Sequence, residues 1–179
     1  SAASDVYKRQ ELRGWPQAPY PTKQDVDANY YRLLDTILRP EYADAISIGV
    51  ATHNLFTAAF AKELASRRDV AHMIDSEMLQ GMSPAQQATV RRAYGRQILY
   101  TPVVHKEDFD VAVSYLVRRL EENAAPQNFL YALFAPNEPN QAQGELTPLA
   151  AQEQVFRNAV ATRHEVAAGP RHTQDRAQD

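Results

Sequence analysis

The sequence contains no cysteine in its 179 residues. This absence excludes a disulfide framework, a thiolate zinc site and a cysteine nucleophile. Only 6 residues are glycine, and no glycine-rich phosphate loop of the dinucleotide-binding or Walker type is present. No apolar run approaches the roughly 18 residues of a membrane-spanning helix, and the first residues do not resemble a secretory signal. We therefore expect a cytoplasmic protein.

An excess of positive charge is also missing. The chain has 19 Lys and Arg against 22 Asp and Glu, so its formal net charge is -3. Proteins that bind nucleic acid carry a basic excess or a basic patch, and we therefore predict no nucleic-acid partner. Charged residues make up 23% of the sequence and hydrophobic residues 44%, as is usual for a globular protein. The length corresponds to about one domain.

The two ends of the chain differ in composition from its middle. Residues 5–10 read Asp-Val-Tyr-Lys-Arg-Gln, as a common sequencing-library adapter does when it is translated. We interpret 1–10 as an assembly scar rather than as a natural polar N-terminus. A polar linker begins at residue 136. The prediction is therefore a scar at 1–10, a folded part at 11–135, and a linker with one short helix at 136–179.

Helix and strand signals alternate along the folded part. Apolar residues at helical spacing predict helices at 25–39, 55–66, 84–94, 106–123 and 148–162. Short β-branched runs predict strands at 46–51, 71–79 and 97–103. Helices that connect successive strands are typical of a parallel sheet, so the predicted fold class is α/β. Three strands are too few to close a barrel, which leaves both edges of such a sheet bare.

Local signals also predict how these helices begin, end and pack. Ser83 is expected to cap the helix at 84–94, with Gln86 completing a capping box and Gly95 ending the helix. Two sets of apolar side chains are expected to face the core. They are Leu55, Phe56, Ala59, Phe60 and Leu64 in the second helix, and Phe109, Val113, Leu116, Val117 and Leu120 in the fourth.

Four polar side chains share one face of the helix at 106–123. Tyr115, Arg118, Arg119 and Glu122 lie at i, i+3, i+4 and i+7. Two neighbouring guanidinium groups are suited to bind a carboxylate, since each offers a planar fork of donors. The pattern indicates either a site for a small carboxylic acid, with Tyr115 as a flat wall, or a solvated face with an Arg118–Glu122 ion pair.

Thr52, His53 and Asn54 follow the first strand and begin a helix. In parallel α/β folds the carboxyl ends of the strands carry the site, and a helix N-terminus favours a phosphate. The alternative is simple capping by Asn54 with His53 on the surface. Thr22 and Lys23 precede the first helix and either meet a phosphate in the same way or are solvated.

Other chemistry has little support in the sequence. His72 lies near the start of its strand, whereas His53 and His105 follow the ends of theirs, so we predict no metal site. No arrangement of Ser, His and Asp indicates a catalytic triad. Tyr100 lies near the carboxyl end of the third strand, where it either points into a site or belongs to the core.

Five motifs occur in one order along the chain and resemble a known family. They are Thr22-Lys23, Ala51-Thr52-His53-Asn54, Leu79-Gln80-Gly81-Met82, Tyr100-Thr101-Pro102-Val103 and the segment YLVRRLEEN at 115–123. Together they resemble the C-terminal part of the FAD-dependent proline dehydrogenase domain, over residues 14–134. Residues 155–176 resemble the segment that leads into the aldehyde dehydrogenase half of bifunctional proline utilization A proteins.

This resemblance implies a partial (βα)8 barrel of the TIM type, about the last three βα units, with FAD at the carboxyl ends of the strands. It also implies roles for individual residues. Arg118 and Arg119 would clamp the proline carboxylate, and Tyr100 and Tyr115 would line the proline ring. The residues that would contact FAD are Thr22, Lys23, Thr52, His53, Asn54 and Glu77, the last at a position where many members have Gln. Glu122 would either orient an Arg of the pair or contact the flavin edge of FAD.

The implied activity is oxidation of L-proline to 1-pyrroline-5-carboxylate by hydride transfer to FAD, with quinone or another electron acceptor. The parent protein is expected to be bifunctional, with an NAD-dependent aldehyde dehydrogenase domain. Homo-oligomers and a peripheral contact with the inner membrane face are further expectations. The chain by itself is expected to be inactive, because the family places further site residues on earlier strands. The alternative is a non-catalytic α/β interaction module that retains the motifs as packing.

Overall fold

The computed structural model describes residues 12–13, 20–124, 128–134 and 146–169. The main helices and strands within these ranges are α1 (Lys23–Ile37), β1 (Ile48–Ala51), α2 (Leu55–Arg67), β2 (Ile74–Leu79), α3 (Pro84–Tyr94), β3 (Gln97–Tyr100), α4 (Phe109–Ala124), α5 (Phe129–Phe134) and α6 (Pro148–Ala161). Single turns of 3-10 helix lie at Pro40–Tyr42, Ala71–Met73 and Lys106–Asp108. The segment 1–10 and the linker from 136 to 145 lie outside the described residues.

Every predicted helix and strand is present, and the differences are at the ends. β3 ends at Tyr100 instead of continuing to residue 103, because Pro102 has no N–H to donate to a neighbouring strand. Residues Ala71–Met73 form a 3-10 turn before β2 and do not extend the strand. The short helix α5 was not predicted, since six residues are too few to show a helical period.

The three strands form one parallel sheet in the order β1-β2-β3. Ala51 of β1 is the register partner of Glu77 in β2, and Leu79 of β2 is the partner of Tyr100 in β3. All three carboxyl ends therefore lie at the same edge of the sheet. The predicted α/β class with a parallel sheet is confirmed.

Within the described ranges, the sheet has one covered face and one open face. Successive side chains of a strand alternate between the two faces, and register partners in neighbouring parallel strands share a face. The covered face carries Val50, Ile74, Ser76 and Met78, all of which are buried. The open face carries Gly49, Ala51, Asp75, Glu77, Leu79, Ile98 and Tyr100. Its side chains, including the half-exposed Tyr100 and Ile98, are available to a ligand or to further chain.

α2 packs through small residues, and the predicted set of larger apolar residues is wrong. The buried residues of this helix are Thr57, Ala58, Ala61 and Ala65, whose short side chains allow the helix axis to approach its neighbours closely. Phe56 instead packs against Phe156 in a stacked arrangement, with ring centroids 5.5 Å apart. Phe60 meets the same ring edge-on at 6.2 Å. These rings form a separate aromatic cluster beside the sheet core.

The start of α3 also differs from the prediction. Ser83 adopts a left-handed backbone conformation, with φ of 51°, and its side chain makes no capping hydrogen bond. The capping box with Gln86 is therefore absent, and the Gln86 side chain is buried. Gly95 ends the helix with φ of 82°, as predicted.

The apolar stripe of α4 does not face the core. The side chains of Phe109, Val113, Leu116, Val117 and Leu120 are exposed, with Phe109 at 63% and Leu120 at 60%. Among the described residues, α4 packs mainly against the turn Lys106–Asp108 and against α5. The inward orientation predicted for this stripe is wrong because no described element covers it.

The chain divides into two compact units. Residues 1–33 and 157–179 form one, and residues 34–156 form the other, which contains the sheet. In the first unit Arg32 donates to the carbonyl oxygen of Val166 at 3.0 Å and to the hydroxyl of Tyr20 at 3.2 Å. In the second unit Arg68 donates a hydrogen bond to the carbonyl oxygen of Leu38 at 2.8 Å. Leu38 directly follows the last residue of α1.

Candidate active site

His53 connects the ends of two neighbouring strands. Its Nε2 accepts a hydrogen bond from the backbone N–H of Leu79 at 3.0 Å, so the neutral ring carries its proton on Nδ1. That Nδ1 is buried and has no hydrogen-bond partner among the described residues. Burial lowers the pKa of His53, because desolvation disfavours the charged ring. His53 is therefore half-buried and hydrogen-bonded, rather than a freely solvated surface histidine.

Stability is expected to depend on pH through His53. The pKa of the ring is near 6.5 in an unfolded chain and lower in the folded protein, so the unfolded state takes up a proton first as the pH falls. The stabilising contribution of neutral His53 is complete above about pH 6.5 and is lost as the pH falls through the folded-state pKa. Urea unfolding of the full-length protein from about pH 8 to about pH 5 should show this loss. The variant His53→Gln should lose less, and equal losses would contradict the prediction.

Asn54 caps α2, as the capping alternative predicted. Its Oδ1 accepts from the backbone N–H of Phe56 at 2.9 Å and of Thr57 at 3.4 Å. Thr52 supports the turn, since its Oγ1 accepts from the N–H of Asn54 at 3.0 Å. The cap satisfies two of the first N–H groups of the helix. A phosphate at this position would therefore meet the N-terminal dipole and fewer free donors than the sequence indicated.

Gln87 holds the loop that follows β2, and sequence reasoning missed it. Its Nε2 donates to the carbonyl oxygens of Leu79 at 2.6 Å and Met82 at 2.8 Å. The N–H of Gln80 donates to the carbonyl oxygen of Tyr100 at 2.8 Å, which fixes the other side of the loop. A glutamine within a helix gives no sequence signal for such a role, because its partners are backbone carbonyl groups, which every residue carries.

Glu77 and Tyr100 lie on the open face near the carboxyl edge of the sheet. The Glu77 side chain extends over Gly49 of the neighbouring strand. Tyr100 is the last residue of β3 and is 52% exposed. Its position on the open face agrees with the hypothesis that it points into a site, and the core alternative is wrong.

On α4, the structure brings Tyr115 and Arg119 together. The guanidinium carbon of Arg119 lies 5.6 Å from the centroid of the Tyr115 ring, within cation–π range. Arg118 is exposed. Glu122 lies within α4, but its side chain is outside the described part of the structure. Of the four residues in the predicted cluster, the structure thus shows a direct contact for one pair, Tyr115 and Arg119.

Thr22 and Lys23 make local contacts in the first unit. The N–H of Asp25 donates to Thr22 Oγ1 at 3.1 Å, and Thr22 Oγ1 donates to the Asp25 carboxylate at 2.7 Å. Lys23 pairs with Asp27 at 2.5 Å, one helical turn later. These contacts cap and support the start of α1.

A cavity of about 450 Å³ lies beside the loop after β2. Its walls include Met82, Leu120, Leu130 and Phe134, so the cavity is mostly apolar. Leu120 belongs to the apolar stripe of α4 and not to the face of Tyr115 and Arg119. The lining contains none of Tyr115, Arg118 and Arg119, but it includes Asn123, which lies one helical turn after Arg119.

Two kinds of feature are absent from the part of the chain that the structure describes. No group of three or more His, Asp or Glu side chains is arranged to hold a metal ion. In the same ranges, none of the helices combines the length and the apolar character that crossing a membrane requires.

Comparison with known proteins identifies relatives of this chain. The family model described as proline dehydrogenase matches residues 5–132. Proline dehydrogenase 2 of Bacillus subtilis (strain 168) is 31% identical over 129 residues, which are 71% of this chain and 37% of that protein. The protein of the same name from Bacillus subtilis subsp. natto is 30% identical over 129 residues, again 71% of this chain and 37% of that protein.

Solved structures give the same result. Proline utilization A (PutA) from Corynebacterium freiburgense is 49% identical and superposes with a TM-score of 0.74, over 93% of this chain and 15% of that one. PutA from Bdellovibrio bacteriovorus inactivated by N-propargylglycine is 24% identical, with a TM-score of 0.68 over 97% of this chain and 16% of that one. The latter shows the fold alone.

The chain thus spans about a third of the length of the curated relatives that it matches. Its three-stranded parallel sheet with flanking helices corresponds to part of a (βα)8 barrel of the TIM type, as predicted. The family model covers well over half of the chain, and on this ground the chain belongs to the proline dehydrogenase family.

Proposed function

We propose that this chain is part of a flavin-dependent proline dehydrogenase, which oxidises L-proline to 1-pyrroline-5-carboxylate. The observation that carries the proposal is the match of the proline dehydrogenase family model to residues 5–132. The position of Tyr100, Glu77 and His53 at one edge of a parallel sheet supports it, because sites of such sheets lie at the carboxyl ends of the strands.

The substrate carboxylate is assigned to Arg118 and Arg119. Proline carries one carboxylate, and a guanidinium group binds a carboxylate through two parallel hydrogen bonds. Tyr115 restricts the orientations open to Arg119 through their ring contact. Tyr115 and Tyr100 supply flat walls for the apolar part of the proline ring. These residues hold the substrate in one orientation, which is the main contribution of a protein to cofactor chemistry.

The residues at the strand ends fit a flavin nucleotide. The buried Nδ1–H of His53 is a donor without a partner among the described residues, as expected of a group that meets a ligand. We assign Thr52, His53 and Asn54 to the adenosine and pyrophosphate portion. A contact of Thr22 and Lys23 with FAD is proposed from the sequence resemblance alone. Glu77 and Glu122 are assigned to the flavin edge. FAD, when bound, supplies the acceptor for the hydride that leaves the proline carbon next to nitrogen.

Further parts of the proposal concern the whole protein. The 49% identity to a PutA supports a bifunctional parent with an aldehyde dehydrogenase domain that uses NAD. A cytoplasmic location, a quinone or similar acceptor, contact with the inner membrane face and homo-oligomers are proposed on the same basis. The 179-residue chain alone is expected to retain little FAD and to be inactive, since the family places further site residues on earlier strands. Unpaired sheet edges are also expected to make it prone to aggregation.

The full-length gene product tests the proposed function directly. The purified protein is expected to be yellow, with flavin absorbance at about 450 nm, and to reduce a redox dye when L-proline is added. D-proline serves as the matched control, because its carboxylate and ring cannot both reach the same two sites in the same orientation. A well-folded, colourless protein without proline-dependent dye reduction would support the non-catalytic interaction module instead.

A further inference from the structure

Gly49 lies on the open face of β1, beside β2. Its register partner is Asp75, and the next residue on the same face, Ala51, is the partner of Glu77. The Glu77 side chain does not extend away from the sheet but lies across β1. A Cβ built at position 49 would lie 1.9 Å from Glu77 Oε1 and 2.3 Å from its Cδ. The Glu77 carboxyl group thus occupies the space that a side chain at position 49 would need.

The backbone does not explain the glycine. The glycines with positive φ in the described ranges are Gly81 and Gly95, so Gly49 has a conformation that other residues adopt readily. The position of the Glu77 carboxyl group explains the glycine instead, because it fills the space next to the Gly49 Cα that a side chain would need.

The two carboxylates of β2 on the open face differ in their partners. Asp75 pairs with Arg96 at 2.6 Å. The Glu77 carboxylate has no hydrogen bond or ion pair with another residue in the described part of the chain, so both of its oxygens can meet a ligand. Glu77 is also nearer to the carboxyl edge of the sheet, where sites of parallel sheets lie.

We propose that Gly49 is a positioning residue, which seats the Glu77 carboxylate against β1 and thereby sets where a negative charge meets the bound flavin. This inference rests on the proposed function. It adds to that function a residue with no polar side chain, whose role is to leave a space.

The experiment compares FAD binding by four forms of the full-length protein, namely wild type, Gly49→Ala, Glu77→Ala and the double variant. In Gly49→Ala the carboxylate must swing away, and the FAD dissociation constant is expected to rise about three- to tenfold. Glu77→Ala should cause a rise of similar size. The double variant should be no weaker than Glu77→Ala, because no carboxylate remains to be displaced.

Two further measurements separate positioning from folding. In the absence of FAD, the melting temperature of Gly49→Ala should equal that of wild type, since only the flexible end of a side chain must move. The reduction potential of the bound flavin should shift in Gly49→Ala and should not shift further between Glu77→Ala and the double variant. Equal, additive losses of affinity from Gly49→Ala in both backgrounds would overturn the inference, as would unchanged affinity in the single variant. A wild-type protein that binds no FAD would instead overturn the proposed function.

Discussion

Replacement of Arg119 by alanine in the full-length protein is expected to raise the KM for L-proline by roughly 10- to 100-fold. Hydrogen bonds to a charged group contribute about 1.5–3 kcal/mol, and the substrate carboxylate would lose such bonds. The Tyr115 ring lies against this guanidinium, 5.6 Å from centroid to carbon, and limits its orientations before substrate binds. Steady-state dye reduction at varied proline concentration measures the effect.

Two variants serve as controls for Arg119→Ala. Arg91 is exposed in the last turn of α3, so Arg91→Ala removes the same charge from the protein outside the arginine cluster and should leave KM unchanged. Arg119→Lys keeps the charge but loses the planar fork, and its KM should lie between the values of wild type and Arg119→Ala. If both Arg118→Ala and Arg119→Ala retain the wild-type KM, the carboxylate clamp is wrong.

The sheet could be predicted because its signals are local. β1 and β3 are short, mainly apolar runs, and β2 contains both apolar and polar residues. Each strand is followed by residues with helical periodicity. Asn54 at the start of α2 and Gly95 at the end of α3 are determined by the chemistry of single residues next to the helix. The parallel direction of the strands then follows from the alternation of strands and helices. Their order does not, because parallel α/β sheets with the same alternation occur in more than one strand order.

Packing could not be predicted to the same extent, because it depends on what lies opposite. The sequence of α2 contains both large and small apolar residues. In the structure the small residues Ala58, Ala61 and Ala65 are the buried ones. The larger Phe56 and Phe60 meet Phe156, which is about a hundred residues away in sequence. Periodicity identifies the apolar side of a helix but not the surface that covers it. The exposed stripe of α4 shows the same limit.

In the candidate site, too, contacts within one helix could be predicted and contacts between strands could not. Tyr115 and Arg119 lie four positions apart on one helix, so their contact follows from helical geometry. The bond between His53 and Leu79 spans 26 positions, and only the parallel pairing of β1 with β2 brings the two together. Gly49 acts through a contact of the same long-range kind with Glu77, and its role becomes visible only when the register of the strands is known. The contacts of Gln87 are shorter in range, since they reach back 8 and 5 positions to the loop after β2.

Replacement of His53 by alanine is expected to lower the free energy of unfolding of the full-length protein by about 1–3 kcal/mol. The N–H of Leu79 would lose its acceptor at a half-buried position at the end of β2, where a donor without a partner bears the cost of desolvation. His53→Gln is the matched variant, since its Oε1 can reach the same N–H and cannot be protonated. Denaturant unfolding at about pH 7.5 measures both.

The outcome also decides what His53 does besides binding a cofactor. If His53→Ala weakened FAD binding without lowering the free energy of unfolding in the absence of FAD, the hydrogen bond to Leu79 would not contribute to stability. If His53→Gln restores stability but not FAD affinity, the two ring nitrogens have separate tasks. Nε2 then holds the ends of β1 and β2 together, and the buried Nδ1–H meets the cofactor, because a neutral imidazole has one acceptor and one donor to distribute.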